Sequence, residues 1–279
     1  MRLRAVVDPQ TLRLETIAAE QPTVAFEASP ATGGESCRDP VARVGDLART
    51  TLDAGFNRRL SDGIGGPRGC SHILTLARLL GSTVVWALER DRAVHGVHAG
   101  RRPGERIFRR DIIVDAYEQA AGTLALVAQQ GDLHLAPAPP VGPALDRLAG
   151  YDEIRVLAEV DFPSRTVSQL QLAERRRDAT TTVEPPWRDD PELAARLAGL
   201  PLGPGSAAEL LRRLDAASPH PPLQDALLML APTLVQCLAA LADRLVAAGA
   251  NRSLAGLGGL PDSCYMWRRD GALARGRGG

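Results

Sequence analysis

The chain has 279 residues and not one lysine: all 33 of its basic residues are arginine. Arginine and lysine largely substitute for each other in keeping a surface soluble, so the bias reads first as one of coding. Its chemical consequence is firm all the same. A Schiff base needs an amine that can lose its proton, which removes pyridoxal-phosphate and lysine-dependent aldolase mechanisms. The phosphate-loop lysine of nucleotide-triphosphate motors and switches is missing too. Aromatic residues are scarce at 4%, so Leu, Val and Ala must fill the core. Neither sign of charge prevails, with 33 basic against 33 acidic residues. Nucleic acid and anionic membrane both need a concentrated basic field, so neither is an expected partner.

Cysteine is also sparse. Cys37, Cys70, Cys237 and Cys264 are irregularly spaced and do not form a secreted disulfide framework. The first residues, Met1 to Asp8, are too short and too charged for a signal peptide. The longest apolar region is broken by Pro232 and Gln236, so no uninterrupted membrane span is expected. These absences lead to the expectation of a cytoplasmic protein with reduced thiols.

What is present points to an α+β fold of two related units, each with antiparallel strands followed by packed helices. Alternating apolar residues mark strands over 3–7 and 12–18, with Asp8-Pro9-Gln10 as the turn. The pattern returns over 154–160 and 167–172, around Asp161-Phe162-Pro163-Ser164. Asp39-Pro40 and Asp190-Pro191 each read as a helix start, with Asp as the cap and Pro in the first turn. Asp8 to Asp39 spans 31 positions and Asp161 to Asp190 spans 29; Asp39 to His72 spans 33 and Asp190 to His220 spans 30. Landmarks in one order at nearly constant offsets point to an internal duplication.

In each unit helices follow. The run from His72 to Ala87 is apolar almost all round, which fits a helix buried on most sides. Leu223, Leu227, Leu230, Leu234, Leu238, Leu241 and Leu245 form a core-facing helical stripe that Pro232 should kink or split. Two more strands are expected over 107–114 and 123–129. Ala136 to Pro140 reads as a stiff extended loop, and the Gly/Arg tail from Arg275 as disordered. The expected division is a first unit over 1–92, a connector over 93–105, a degenerate second unit over 106–250, and a C-terminal strap and tail over 251–279.

The segment Gly69-Cys70-Ser71-His72 carries the most chemistry, placing a thiol and an imidazole two residues apart at a helix start. Unpaired backbone N–H groups there lower a thiol pKa and favour the thiolate, whether as nucleophile or as ligand of a soft metal. Cys37 and Cys264 are candidates to complete a site. The plainer reading packs Cys70 in the core and lets His72 bond locally. Cys237 reads as a small core residue, and His95 and His98 as parts of a solvated connector. His134 has no visible partner. Asp152 and Glu153 are adjacent in a strand and point to opposite faces, which reads as ordinary strand-edge charge rather than one acid/base pair. Cys264, Tyr265 and Trp267 lie in a segment that is either a strap or a lid over an apolar pocket.

Gly55-Phe56, Arg59-Leu60 and Gly69-Cys70-Ser71-His72-Ile73 resemble a bacterial family known as domain of unknown function 2889. Its members carry Gly-Cys-Thr-His-Leu after a Phe-containing helix and an earlier cysteine that Cys37 would match. Ser263-Cys264-Tyr265-Met266-Trp267-Arg268 resembles a C-terminal motif of its longer members, so the resemblance extends over most of the chain. The family's element order is similar in layout to iron–sulfur scaffold and sulfur-acceptor proteins of the NifU and SufE type. The second unit offers Trp187-Arg188-Asp189-Asp190 near the expected cysteine and Ser218 where Cys70 would be, so neither unit holds a complete ligand set.

Two functional expectations follow. One is a scaffold-like accessory module holding a small molecule or metal, an iron–sulfur cluster included, near Cys37, Cys70 and His72. The other is an enzyme for an apolar or acyl small molecule, with Cys70 as nucleophile or metal ligand and His72 as base. A homo-oligomer is compatible with either, and the sequence does not decide whether the protein is an enzyme.

Overall fold

The computed structural model describes residues 1–96, 101–102, 104–119, 122–138, 147–178, 180–215, 220–237 and 261–275. It is a mixed α and β protein with a two-stranded and a five-stranded antiparallel sheet. Contacts divide the chain into two compact units, Met1–Ser82 with Val235–Gly279, and Thr83–Leu234. This division falls between Ser82 and Thr83, whereas connector composition draws its boundaries at 92, 105 and 250. His98, Pro139, Pro140, Ser218, the leucines from Leu238 to Leu245 and the tail beyond Arg275 lie outside the described residues.

Unit 1 opens with strands β1 (Arg2–Val7) and β2 (Leu14–Glu20), paired antiparallel with a bulge between Val6 and Val7. Leu14 and Ile17 are the buried apolar positions of β2. A 3-10 helix over Asp39–Leu47 follows, with Arg38 as its cap. Asp39 is therefore not the cap expected from sequence; its carboxylate turns back to accept the Ser36 N–H at 2.9 Å. Helix α1 (Phe56–Ile64) buries Phe56, Leu60 and Ile64, at spacings of four along one face. Helix α2 (Ser71–His95) begins after two tight glycines. A Cβ on Gly65 would lie 2.4 Å from the Ser61 carbonyl oxygen, and one on Gly69 would lie 2.1 Å from that of Ile64. Only glycine lets the chain fold this closely against the end of α1.

Burial along α2 is narrower than its composition implies. Ile73, Ala77, Gly81 and Ala87 are buried, and most of the other apolar side chains are half-exposed. Gly81 is required by the Phe56 ring, which passes 2.7 Å from the position of a Cβ. Among the described residues α2 is long and apolar enough to cross a membrane, contrary to the expectation that no stretch would be; core helices of soluble proteins share that length and composition. His95 ends this helix and is not part of a connector.

Unit 2 contains the sheet β3 (Phe108–Glu118), β4 (Thr123–Ala136), β5 (Arg147–Asp161), β6 (Thr166–Asp178) and β7 (Arg188–Asp189), in that order and antiparallel throughout. Helices α3 (Pro191–Leu197), α4 (Ser206–Asp215) and α5 (Pro221–Leu228) follow. Here the expected cap holds: the Asp190 side chain accepts the Leu193 N–H at 2.9 Å. The leucine stripe is split as expected at Pro232, which sits in the first turn of a second helical stretch over 230–237. A missing N–H does no harm there.

One face of the sheet is buried, and its chemistry changes along the strands. Leu124, Leu126 and Ala128 on β4 and Val156, Ala158 and Val160 on β5 make an apolar end. Gln130, Asp132, His134 and Asp152 make a polar end, each at most 5% exposed. Helix α5 packs against both β4 and β5.

The two units repeat one local wiring. Leu12 and Arg165 take φ of 55° and 56°, and Arg49 and Gly199 both take 71°. Leu14 N–H donates to Thr50 O at 2.8 Å, as Val167 N–H does to Leu200 O at 3.0 Å. Leu52 N–H donates to Leu12 O at 2.9 Å, as Leu202 N–H does to Arg165 O at 2.8 Å. The bulge at Val6/Val7 has its like at Glu159/Val160.

Candidate thiol site

The glycine-tight turn of unit 1 delivers Cys70 to the first position before α2, where its carbonyl accepts the Leu74 N–H at 3.0 Å. The backbone N–H groups of Ile73 and His72 turn toward its sulfur. The Gln21 side-chain amide, at the end of β2, donates to Sγ at 3.2 Å. Nδ1 of His72 stands 3.8 Å from Sγ. On the far side of the ring, Nε2 meets the Gln236 side-chain amide nitrogen. An amide nitrogen only donates, so in that orientation the ring proton sits on Nδ1 and faces the sulfur. The flipped amide would instead accept from an imidazolium Nε2–H.

Burial pushes the Cys70 thiol up, but the His72 ring and the two N–H groups outweigh it, and the net shift is below the ordinary thiol value. His72 moves the opposite way, raised by its bond to Cys70 against the effect of burial. Each group favours the charged form of the other, as in a thiolate–imidazolium pair. Gln21 is buried, and its Oε1 has no hydrogen-bond partner among the described residues.

The other two expected thiols come to the same place. Cys37 N–H donates to Phe26 O at 3.1 Å, and its neighbour Arg38 bonds through Nε to Gln21 O at 2.9 Å. The strap residue Tyr265 donates its N–H to Gly69 O at 2.8 Å, which sets Cys264 beside Cys70. The strap is pinned by the Trp267 ring edge-on to Phe26 at 5.9 Å, by buried Met266, and by the Arg268–Glu35 ion pair. Burial pushes both flanking thiols up; the charge of Cys70 adds to this in Cys37, and the charges of Cys70 and Cys37 add to it in Cys264. Unit 1 thus holds one thiol biased toward the thiolate and two biased toward the protonated form. Among the described residues no group of three or more His, Cys, Asp or Glu side chains is disposed to hold a metal ion. Cys237 is half-buried and raised by burial, which suits a packing role.

Unit 2 holds a polar cluster that sequence alone did not show. Arg110 on β3 forks onto Asp132 at 2.7 and 2.6 Å, donates to Thr83 Oγ1 at 2.9 Å, and pairs with Asp225 of α5. His134 has a partner after all, Asp152, with Nε2 to Oδ2 at 3.0 Å. Asp152 is buried on an interior strand and is not an edge charge, while Glu153 faces the other way to pair with Arg175. Arg176 Nε donates to Asp152 at 2.6 Å, and its Nη2 reaches His220 Nε2 at 2.8 Å. Register carries the missing information: Asp132 lies opposite Asp152, and Asp152 opposite Arg176.

His220 also borders a cavity of about 260 Å³ lined by Leu172, Glu174, Arg188, Asp190 and Leu223 among others. Because Arg176 can only donate, Nε2 must accept, and the ring is neutral with its proton on Nδ1. Burial, then the Arg176 charge, push His220 down to about 4, with Asp152 opposing. A free histidine titrates near 6.5, so the folded state binds fewer protons between these values. The stability His220 confers is therefore complete above about pH 6.5 and is lost as pH falls to about 4. Urea midpoints of the wild type should drop over that window, and those of His220→Gln should drop less. Equal pH slopes for the two proteins would exclude this assignment.

Fold and site together define a mixed α and β protein with a thiol–imidazole pair at a helix start. Residues 1–86 match the family model described as "Protein of unknown function (DUF2889)". The match holds Cys37, Cys70 and His72 and stops within α2; Cys264 and unit 2 beyond residue 86 lie outside it. Comparison with curated proteins gives no match, and comparison with solved structures gives none.

Proposed function

We propose that unit 1 works through a thiolate on Cys70, with His72 as the base that takes and returns its proton, on a small molecule that reaches the exposed side of this pair. The observation that carries this reading is the setting of Sγ at the start of α2, between the Gln21 amide and Nδ1 of His72. A thiolate used in this way needs a reducing compartment, which on this reading is the cytoplasm. Iodoacetamide labelling against pH, read by peptide mass spectrometry, tests it. Cys70 should label ahead of Cys237, with its midpoint below the ordinary thiol value of about 8.5. His72→Ala should move that midpoint up. Labelling of Cys70 no faster than Cys237 would end the proposal.

The accessory-module reading uses Cys37, Cys70 and His72 as ligands of a thiophilic metal or iron–sulfur cluster. The nearness of Cys264 favours it by supplying a fourth donor, although the side chains would have to close around an ion. Metal and acid-labile sulfide analysis of protein purified without oxygen decides between the two readings.

We further propose that the units are copies of one ancestor, on the strength of the shared wiring. Buried Leu47, Leu52, Leu60, Ile64, Ile73 and Ala77 then correspond to buried Leu197, Leu202, Leu210, Leu214, Leu223 and Leu227. In this frame His220, and not Ser218, stands where Cys70 does, directly before a helix. Glu174 takes the place of Gln21, and Arg188 that of Cys37. The second copy thus has a neutral imidazole and two charged side chains, bordering a cavity, in place of two thiols and an amide.

A further inference from the structure

Resting on the thiolate reading of Cys70, we infer that unit 1 is a two-thiol exchange site: Cys70 attacks a low-molecular-weight disulfide and Cys264 resolves the product. The geometry is that of the backbone. The carbonyl of Gly69 accepts the N–H of Tyr265 at 2.8 Å, so one hydrogen bond joins the residue before Cys70 to the residue after Cys264. Such a bond is one of the two that flank a facing, non-hydrogen-bonded pair in an antiparallel ladder, whose Cα atoms lie about 4.5 Å apart. A disulfide spans Cα separations of about 4.4–6.8 Å. Gly69, which leads into Cys70, and Cys264 itself are both extended, with φ of −152° and −160°. The strap contacts hold Cys264 in place, so no segment need move far to bring the second thiol in. Cys37, near as it is, is held by its own N–H to Phe26 O and through Arg38 to Gln21 O, with no backbone hydrogen bond to the Cys70 segment among the described residues.

The chemistry balances without any further oxidant. Cys70 thiolate attacks one sulfur of RSSR, forming Cys70–S–SR and expelling RS⁻, which takes the proton of the His72 imidazolium. Neutral His72 then removes the proton of Cys264. The Cys264 thiolate attacks the Cys70 sulfur of the mixed disulfide, and the second RS⁻ leaves with that proton. The products are two RSH and a Cys70–Cys264 disulfide, with two electrons passed from protein to substrate. His72, exposed at the helix start, is placed to protonate the leaving group. Its raised pKa keeps that proton available.

The test treats reduced full-length protein with oxidised glutathione, quenches with acid, and maps unreduced peptides by mass spectrometry. The wild type should give a Cys70–Cys264 linkage and lose glutathione from Cys70. Cys264→Ser, with Cys264→Ala as a second variant, should retain it. Glutathione persisting on Cys70 in the wild type, or a Cys37–Cys70 linkage in place of Cys70–Cys264, would overturn the inference. Failure of the thiolate reading is distinct, because Cys70 would then show no advantage over Cys237 in iodoacetamide labelling.

Discussion

Replacing Arg110 with alanine should lower the stability of the protein by about 3–5 kcal/mol, the usual cost of stripping one partner from a buried ion pair. Its side chain is 6% exposed, and the two carboxylates it holds, Asp132 and Asp225, are 0% and 1% exposed. Asp132 and Asp152 also face each other directly across β4 and β5, so like charges lie close inside the sheet. Arg110 answers the first and Arg176 the second. Without the guanidinium, buried carboxylate is left uncompensated, which is worse than an apolar core. The matching expectation is that Arg110→Met with Asp132→Leu and Asp225→Leu recovers much of the loss, since the cluster as a whole contributes little net stability. Urea unfolding of the two variants and the wild type measures both. A loss below about 1 kcal/mol for Arg110→Ala would show that water reaches these carboxylates.

This cluster also marks where the sequence stops being legible. Strand β1 follows from alternation almost to the residue, because its pattern has no buried polar residue to interrupt it. Strand β4 was expected to end at Gln129 but runs to Ala136, because Gln130, Asp132 and His134 occupy buried positions with polar side chains. Alternation counts such residues as exposed and closes the strand early. For the thiol site, the glycines and the Cys-x-His spacing were readable, since they are local. The approach of Gln21, Gln236 and Cys264 to that segment was not, since each arrives from a distant part of the chain through contacts that no local pattern encodes. Asp39 shows the same limit at short range. Asp-Pro is a sound helix-start pattern, yet only Asp190 caps; Asp39 is drawn off by Ser36.

Leu60→Ala and Leu210→Ala should each cost about 2–5 kcal/mol, the range for a leucine emptied from a closed core. Leu60 is 0% exposed and Leu210 is 2% exposed. Each lies in the helix that follows its unit's hairpin-closing loop, four residues before a second buried branched side chain, Ile64 or Leu214. On the proposed common ancestry of the two units the pairing is specific. A residue selected only for burial has no reason to keep its place relative to a left-handed residue, yet Leu60 follows Arg49, and Leu210 follows Gly199, by the same 11 positions. On that proposal the apolar frame has been kept while the polar positions have diverged, Cys70 against His220 and Gln21 against Glu174. Core substitutions at paired positions should therefore give similar losses, whereas substitutions at the paired polar positions should give different ones. Thermal or urea unfolding of Leu60→Ala, Leu210→Ala, Gln21→Ala and Glu174→Ala measures this. A Leu60→Ala loss within about 0.5 kcal/mol of zero, the range of an ordinary surface change, beside a large Leu210→Ala loss would break the correspondence at its best-buried pair.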